Sequence, residues 1–231
     1  PWGLLQNLVL LSDRGHSFCL EEQLYAETLT ILEKIKKMLD ILHLNYEWVL
    51  SGKSSTPQNK SFKDVLVRAM QEKKMSFTSI ADGKLPLSLQ VYFEDALGRQ
   101  WPGSFVSLSL NSDLQNSTNS KKEKSIYTLS FSLFGSFDRL LALLLEQHSG
   151  QLPIWLAPEQ VRIITVEEKI SSYAKEILER IQVIGLRVNV VEGKNSLSAK
   201  IRLSQCEKVP YTIVIGAKEK KTNTLTVRPF K

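Results

Sequence analysis

The stretch Trp155-Leu-Ala-Pro158-Glu-Gln160-Val161 marks the point where the pattern of the sequence changes. Two prolines, Pro153 and Pro158, flank its first half and indicate a boundary between domains. Downstream, runs of strand length alternate with helical patterns. The predicted strands are 161–166, 186–191, 211–215 and 224–228, and the predicted helices are 170–184 and 197–205. Because helices that connect strands favour parallel pairing, residues 153–231 are predicted to form a small α/β module with a mixed sheet.

Residues 1–152 show a different, antiparallel pattern. Apolar and polar residues alternate over 87–93 and 106–110, and a turn at Gly98 predicts a hairpin between them. Five leucines within six residues predict that helix 137–147 is buried on most of its sides. The other predicted elements are helices over 20–42 and 62–70, strands over 46–50 and 126–134, and loops over 51–60 and 111–125. The predicted fold class of the chain is α+β, with an α/β module after the boundary.

Composition narrows the class of protein. The 231 residues carry a net charge of +6 with a pI near 9.2, which permits a nucleic-acid partner without demanding one. Only two cysteines are present, so a reducing compartment is expected. No apolar run approaches the roughly 20 residues that a membrane span needs. The expected location is the cytoplasm or an organellar matrix, and secretion is not expected.

An ordered series of short motifs continues on both sides of the boundary. The later ones are Tyr173-Ala, Gly185-Leu-Arg-Val, Lys200-Ile-Arg, Val209-Pro-Tyr, Gly216-Ala-Lys-Glu and Val227-Arg. The earlier ones are Asp13-Arg-Gly-His-Ser-Phe-Cys, Asp95-Ala-Leu-Gly-Arg-Gln-Trp and Gly135-Ser-Phe-Asp-Arg. In this order they resemble the C-terminal part of threonyl-tRNA synthetases, which are class II aminoacyl-tRNA synthetases. The resemblance implies a partial catalytic core over 1–152, without its N-terminal part, and an anticodon-binding domain over 153–231.

The catalytic half of the resemblance is degenerate. Family members use ATP, magnesium and a zinc ion held by one Cys and two His, and Arg139 and His16 match a catalytic arginine and one zinc ligand. The position of the second histidine is Ser130, and Arg14 stands where an acid holds the substrate ammonium. Phe105 replaces a polar residue of the site floor. Arg139 and His16 are therefore interpreted as vestigial, and no catalytic residue, metal site or cofactor is expected.

The anticodon half keeps more of the family pattern. The resemblance implies base reading by Glu219 and Arg228, with Asn195 or Lys194 as a further contact. Cationic side chains would hold phosphates in such a site. The predicted cationic surface comprises Lys200, Arg202, Lys218, Lys220, Lys221 and Lys231. The alternative is that motifs such as Lys200-Ile-Arg persist only because the fold needs them.

Three functions remain open at this point. The first is a non-catalytic relative of the synthetases that serves as an RNA-binding or structural subunit of a larger assembly, for example an organellar ribosome. The second is a diverged C-terminal portion of a threonine–tRNA ligase. The third is an accessory or regulatory protein without RNA binding. The expected partners are RNA, either tRNA or rRNA, and other protein chains or a second copy, with no membrane.

Overall fold

The computed structural model describes residues 3–6, 9–52, 56–80, 87–110, 126–193 and 195–230. The chain divides into two compact units, Pro1–Gln147 and His148–Lys231, called here the first and second units. The functional division into domains 1–152 and 153–231 stays a prediction. Within the described ranges, no helix has the length and apolar character needed to cross a membrane. The predicted loop over 111–125 lies outside the described residues.

A six-stranded sheet organises the first unit. Its strands are paired in the order β1-β6-β5-β4-β2-β3, and every pairing is antiparallel except that of β2 with β3. The predicted hairpin is confirmed, because β4 and β5 pair around the turn at Gly98. The strands are β1 Gly15–Leu20, β2 Tyr46–Ser51, β3 Thr78–Ile80, β4 Ser88–Glu94, β5 Gln100–Leu110 and β6 Ile126–Ser132.

Two helices cover one face of this sheet. Helix α1, Leu24–Leu42, packs against β1, β5 and β6, and helix α2, Pro57–Glu72, packs on α1. On β1, the Ser17 hydroxyl donates to Glu27 of α1 at 3.0 Å, so the odd-numbered residues of β1 face the helix. The even-numbered residues then face away, because side chains alternate along a strand. The largest fully buried side chains of this core include Leu32, Ile35, Leu39, Phe62, Leu66, Leu89 and Phe93.

Helix α2 begins earlier than the sequence pattern indicated. The loop predicted over 51–60 overlaps the helix, which starts at Pro57. The Thr56 hydroxyl accepts a hydrogen bond from the Asn59 amide at 3.2 Å, and proline occupies the first helical position. Both are standard helix-start signals, but they lie in a polar stretch before the first apolar residue, Phe62.

Helix α3, Phe137–Gln147, has the predicted bounds but not the predicted burial. Leu140, Leu143 and Leu144 are buried. Phe137, Leu141 and Leu145 are 39%, 44% and 36% exposed. These three residues are spaced by four, so they form a second stripe beside the buried one, about 100° around the helix. Five leucines exceed what one face can bury, and the expectation of burial on most sides is wrong.

The second unit is a four-stranded mixed sheet in the order β10-β9-β7-β8. Strand β7 is parallel to β8 and β9, and β10 is antiparallel to β9, which confirms the predicted mixed sheet. The strands are β7 Val161–Thr165, β8 Val188–Val191, β9 Tyr211–Ile215 and β10 Thr226–Pro229. The helices are α4 Ser171–Val183, α5 Leu197–Cys206 and α6 Ala217–Thr222, of which α6 was not predicted.

Helices α4 and α5 lie on opposite faces of this sheet. Ile163, Ile213 and Ile215 form a buried cluster with Ala174 and Ile177 of α4. The intervening strand residues point the other way. Arg162 forms an ion pair with Glu207 at the C-terminal end of α5, where the two charged groups approach to 2.5 Å, and bonds Glu159 as well. Arg162 is the register partner of Thr212, and Thr212 is the partner of Arg228. The side chains of Thr212 and Arg228 therefore lie on the same face of the sheet as Arg162, which is the face that α5 covers.

Candidate nucleic-acid interface

The carboxyl edge of the parallel strands in the second unit gathers several of the predicted RNA-binding residues. Strands β7, β8 and β9 end there at Thr165, Val191 and Ile215, and β10 begins there with Thr226 opposite Val214. Asn195 follows β8, and Glu219 follows β9 in helix α6. Loops at the carboxyl edge of parallel strands are common places for ligands in α/β sheets. The topology thus brings Asn195 and Glu219 to the same edge.

Asn195 and Arg202 are both exposed, the first just before α5 and the second within it. Asn195 precedes Ser196, whose hydroxyl caps α5 by accepting from the Ala199 amide at 3.3 Å. Arg202 lies in the middle of α5 and is exposed. Lys194, the alternative to Asn195, lies outside the described residues. Because both side chains are exposed, Asn195 and Arg202 are accessible to a ligand.

Glu219 has a structural task that the sequence motif did not reveal. Its carboxylate accepts hydrogen bonds from the Gly216 amide at 3.0 Å and from the Thr226 hydroxyl at 3.0 Å. The first bond caps helix α6, and the second joins α6 to β10. The backbone amides of Glu219 and Gly216 and the Thr226 hydroxyl lower the pKa of Glu219, so the side chain remains ionised at neutral pH. Glu219 therefore stabilises the arrangement of α6 and β10 at this edge.

Arg228 lies on β10, on the α5 side of the sheet. It is exposed and pairs with Thr212 in the register of β9 and β10. It lines a pocket of about 390 Å³ between α5 and the β9–β10 hairpin. The other lining residues are Ile201, Ser204, Gln205, Val209, Thr212, Val227, Pro229 and Phe230. A cation at the rim of a partly apolar pocket suits a flat aromatic group that carries hydrogen-bond acceptors.

Lys200 does not belong to the cationic surface that was predicted. It is only 4% exposed, and its ammonium donates to the Thr165 carbonyl at 3.1 Å. The residue faces the sheet because it lies two positions before exposed Arg202, on the other side of α5. Lys200 thus ties α5 to the end of β7, which the sequence could have indicated only through the helical period. Lys218, Lys220 and Lys221 are exposed as predicted, and Lys231 lies outside the described residues.

The whole net charge of the chain resides in the second unit. Residues 148–231 hold 14 of the 30 Lys and Arg residues and 8 of the 24 Asp and Glu residues, which leaves a surplus of six positive charges. The first unit is balanced, with 16 of each sign. The composition of the full chain gives only its net charge of +6, and the division into two units shows that the surplus lies in the second unit. A positive surplus on one compact unit raises the local concentration of polyanions.

In the first unit, Arg139 is engaged by the protein itself. Its guanidinium donates to the Leu5 carbonyl at 3.3 Å and to the Pro102 carbonyl at 2.9 Å. Its central carbon lies 5.2 Å from the centre of the Trp101 ring. Burial lowers the pKa of Arg139. Two N–H donors of the Arg139 guanidinium, which could otherwise contact a phosphate, are thus bonded to backbone carbonyl oxygens.

Asp95 anchors the other side of Trp101. The Trp101 indole donates to the Asp95 carboxylate at 2.8 Å, and Arg99 donates to it through its backbone and side chain at 2.9 and 2.6 Å. Burial raises the pKa of Asp95, but these hydrogen bonds and one from the Leu97 amide outweigh it and lower the pKa to about 2. The cluster stabilises the β4–β5 turn.

His16 and Ser130 face each other across β1 and β6. The His16 Nδ1 atom lies 3.0 Å from the Ser130 hydroxyl, and the two residues are register partners. Arg14 lies nearby, with its guanidinium carbon 5.9 Å from the centre of the Phe105 ring. Across the described part of the chain, no three His, Cys, Asp or Glu side chains gather as metal ligands would. The roles of His16 and Arg139 as remnants of a catalytic site stay predictions.

Comparison with known proteins supports the fold and the resemblance. Residues 160–231 match the family described as "Anticodon binding domain". The chain is 32% identical over 240 residues to a threonine–tRNA ligase of Chlamydia trachomatis serovar L2b, covering 98% of this chain and 38% of that protein. It is 31% identical over 221 residues to that of Anaeromyxobacter dehalogenans, covering 90% and 34%. The chain thus spans little more than a third of these relatives.

Solved structures agree on the fold. The RNA binding domain of threonyl-tRNA synthetase from Cryptosporidium parvum superposes with a TM-score of 0.84 at 24% identity, covering 98% of this chain and 60% of that one. A putative threonyl-tRNA synthetase from Aeropyrum pernix gives 0.77 at 21% identity, covering 100% and 58%. These findings confirm the α+β fold class and the resemblance predicted from the motifs. Residues 160–231, in the second unit, are thus similar to the anticodon binding domain family, in a chain that is similar over nearly its whole length to part of threonine–tRNA ligases.

Proposed function

We propose that this chain binds tRNA through its second unit and does not itself activate an amino acid. The observation that carries the proposal is the match of residues 160–231 to the anticodon binding domain family, in the unit that holds the whole positive surplus. Phosphate contacts by Lys and Arg supply most of the affinity for RNA, and contacts to base edges supply the selectivity. Arg228, Asn195 and Arg202 are the residues proposed to make those contacts.

The non-catalytic part of the proposal rests on the first unit. Arg139 donates to two backbone carbonyls, and His16 bonds a serine where the family pattern has a second histidine. Activation of an amino acid needs positive groups aimed at the transferring phosphate. Arg14 places a further positive charge where a substrate ammonium would lie. These arrangements favour an RNA-binding or structural subunit within a larger assembly.

The experiment that tests RNA binding is a fluorescence-anisotropy titration of the chain with labelled threonine tRNA and with bulk tRNA, repeated over a series of salt concentrations. We expect Arg228→Ala to weaken binding of the threonine tRNA by about 5- to 100-fold, because a lost base contact is worth about 1–3 kcal/mol. Its effect on bulk tRNA should be smaller.

Arg180→Ala is the matched control. Arg180 is an exposed arginine on α4, on the opposite face of the sheet from Arg228, so the two substitutions remove the same charge from the same unit. Equal losses for both variants would mean that only net charge matters. Unselective binding by the unaltered chain would contradict anticodon reading.

A second candidate is that the chain forms part of an active threonine–tRNA ligase. Similarity to such ligases over 98% of the chain favours it. The discriminating measurement is threonine-dependent exchange of pyrophosphate into ATP. Exchange that is lost in Arg139→Ala would establish the ligase candidate and overturn the non-catalytic proposal.

A further inference from the structure

Asn195 lies on a short connection between β8 and α5. The connection runs from Glu192, directly after the last residue of β8, to Ser196, the N-cap of α5. Glu192 stands at its first end, and Lys200 lies one turn into the helix that follows its second end. The position of Asn195 therefore depends on how these two ends are held.

The Lys200 side chain holds the second end against the sheet. Its ammonium is buried and donates to the carbonyl of Thr165, the last residue of β7, at 3.1 Å. Its backbone amide donates to the Ser196 carbonyl at 3.1 Å, which forms the first turn of α5. Because a buried ammonium needs polar partners, the bond to Thr165 fixes this turn at the carboxyl edge of β7.

The Glu192 side chain holds the first end against α4. It accepts a hydrogen bond from the Ser171 hydroxyl, and the Lys175 ammonium lies 3.7 Å from its carboxylate. Both partners lie near the N-terminal end of α4. The Ser171 hydroxyl and the charges of Lys175 and Lys200 lower the pKa of Glu192, so the side chain is ionised at neutral pH. The attraction between Glu192 and Lys200 thus acts between the two ends of the connection.

We propose that Lys200 and Glu192 are positioning residues for recognition of a tRNA anticodon, which hold the connection that carries Asn195 in its binding conformation without touching the RNA. This role rests on the proposed function and extends it to residues behind the contact surface. A binding side chain must be held within about 0.5 Å of its productive position by supporting contacts. Lys200 cannot itself hold a phosphate, because its side chain is enclosed by protein. Its influence on RNA therefore passes through Asn195, which is exposed.

The test compares Lys200→Met with the unaltered chain on threonine tRNA and on the same tRNA with exchanged anticodon bases. Methionine keeps the apolar stem of the lysine and removes its charge, a change that buried sites often tolerate. We expect the ratio of the two affinities to fall by about 3- to 30-fold, as substitutions behind a binding site do. The slope of log affinity against log salt should stay unchanged.

Arg202→Ala is the matched comparison for the salt series. It removes an exposed cation two residues further along α5, and it should reduce the slope by about 0.7, as loss of one phosphate contact does for a single strand. A reduced slope in Lys200→Met would show that Lys200 contacts a phosphate, and would overturn the positioning role.

A double-mutant cycle identifies the route of the effect. In an Asn195→Ala background, Lys200→Met should cause no further fall in the ratio of affinities, because the side chain that it positions is already absent. A further fall of the same size would overturn the proposal. So would an unchanged ratio in Lys200→Met, even if urea unfolding showed a lower stability, since Lys200 would then serve the fold alone.

Glu192→Gln provides a second variant, because Glu192 is exposed and glutamine can still accept from Ser171. Circular dichroism checks that each variant is folded, and if Lys200→Met does not fold, Glu192→Gln is judged by the same criteria. An equal affinity of the unaltered chain for the two tRNAs would contradict the proposed function and this role together. Selectivity in the unaltered chain that both variants retain would overturn the positioning role alone.

Discussion

At the scale of single residues, the Glu219 side chain has a structural role that its sequence motif did not indicate. The motif predicted a base-reading acid, but the carboxylate caps α6 and holds Thr226 of β10. Nothing in the local sequence pointed to Thr226, because that contact depends on the β9–β10 pairing. Glutamine at the third position of a helix preserves a capping box, whereas alanine does not.

Substitution of Glu219 can therefore distinguish its structural role from base reading. We expect Glu219→Ala to lower the free energy of unfolding of the second unit, as loss of a helix cap does, and Glu219→Gln to preserve most of it. Urea unfolding followed by circular dichroism measures both values. If Glu219→Gln keeps stability and still loses selectivity for threonine tRNA, the carboxylate also reads RNA. Equal stability of the Ala and Gln variants would contradict the capping role.

Asp95 gives a pH-dependent prediction. Its pKa is lowered from 3.8 to about 2 on folding, so its contribution to stability is present above the unfolded pKa and is lost as pH falls through the folded pKa. Asp95→Asn should destabilise the first unit by about 2 kcal/mol at pH 7, because the donors of Trp101 and Arg99 lose a charged acceptor.

The pH dependence provides the check on Asp95. The difference in free energy of unfolding between the unaltered chain and Asp95→Asn should stay constant from pH 7 to about pH 5 and shrink between about pH 4 and pH 2. Urea titrations at each pH, with Trp fluorescence as the signal, measure it. A difference that does not depend on pH down to about pH 3 would show that the Asp95 charge contributes nothing to folding.

At the scale of elements, the sequence was most informative where one signal decides a boundary. The bounds predicted for α3, 137–147, match those observed, with Gly135-Ser136 directly before its first residue, and the turn at Gly98 predicted the pairing of β4 with β5. The missed elements lack such signals. Strand β1 pairs with β6, more than 100 residues away, and α6 has only six residues, fewer than two turns. Their formation depends on tertiary contacts that no local window contains.

Gly135 tests one of these boundaries. Its φ angle is +75°, and a β-carbon there would lie 2.8 Å from the Gly103 backbone, so Gly135→Ala meets both strain and a clash. We expect a loss of more than about 2 kcal/mol in the free energy of unfolding. Gly98→Ala is the matched control, since Gly98 has the same φ of +75° but nothing within 4 Å. Equal losses in urea unfolding would show that the Gly103 contact is unimportant.

At the scale of the whole molecule, the two structural units also differ in net charge. The first unit is balanced in charge, and the second unit holds the surplus of six positive charges. The sequence was sufficient for the family resemblance, the fold class and the exposure of Arg202 and Arg228. It did not predict that Lys200 is buried or that Arg139 donates to backbone carbonyls, because both depend on which atoms the fold brings into contact.

We propose above all that the second unit recognises the anticodon of a tRNA. The most direct measurement compares the affinity of the chain for threonine tRNA with its affinity for the same tRNA in which only the anticodon bases have been exchanged, at one fixed salt concentration near physiological. We expect at least about a tenfold loss of affinity for the exchanged tRNA, and no further loss when the exchange is combined with Arg228→Ala. Equal affinities for the two tRNAs would contradict it, and would leave the second unit as a positively charged scaffold without anticodon recognition.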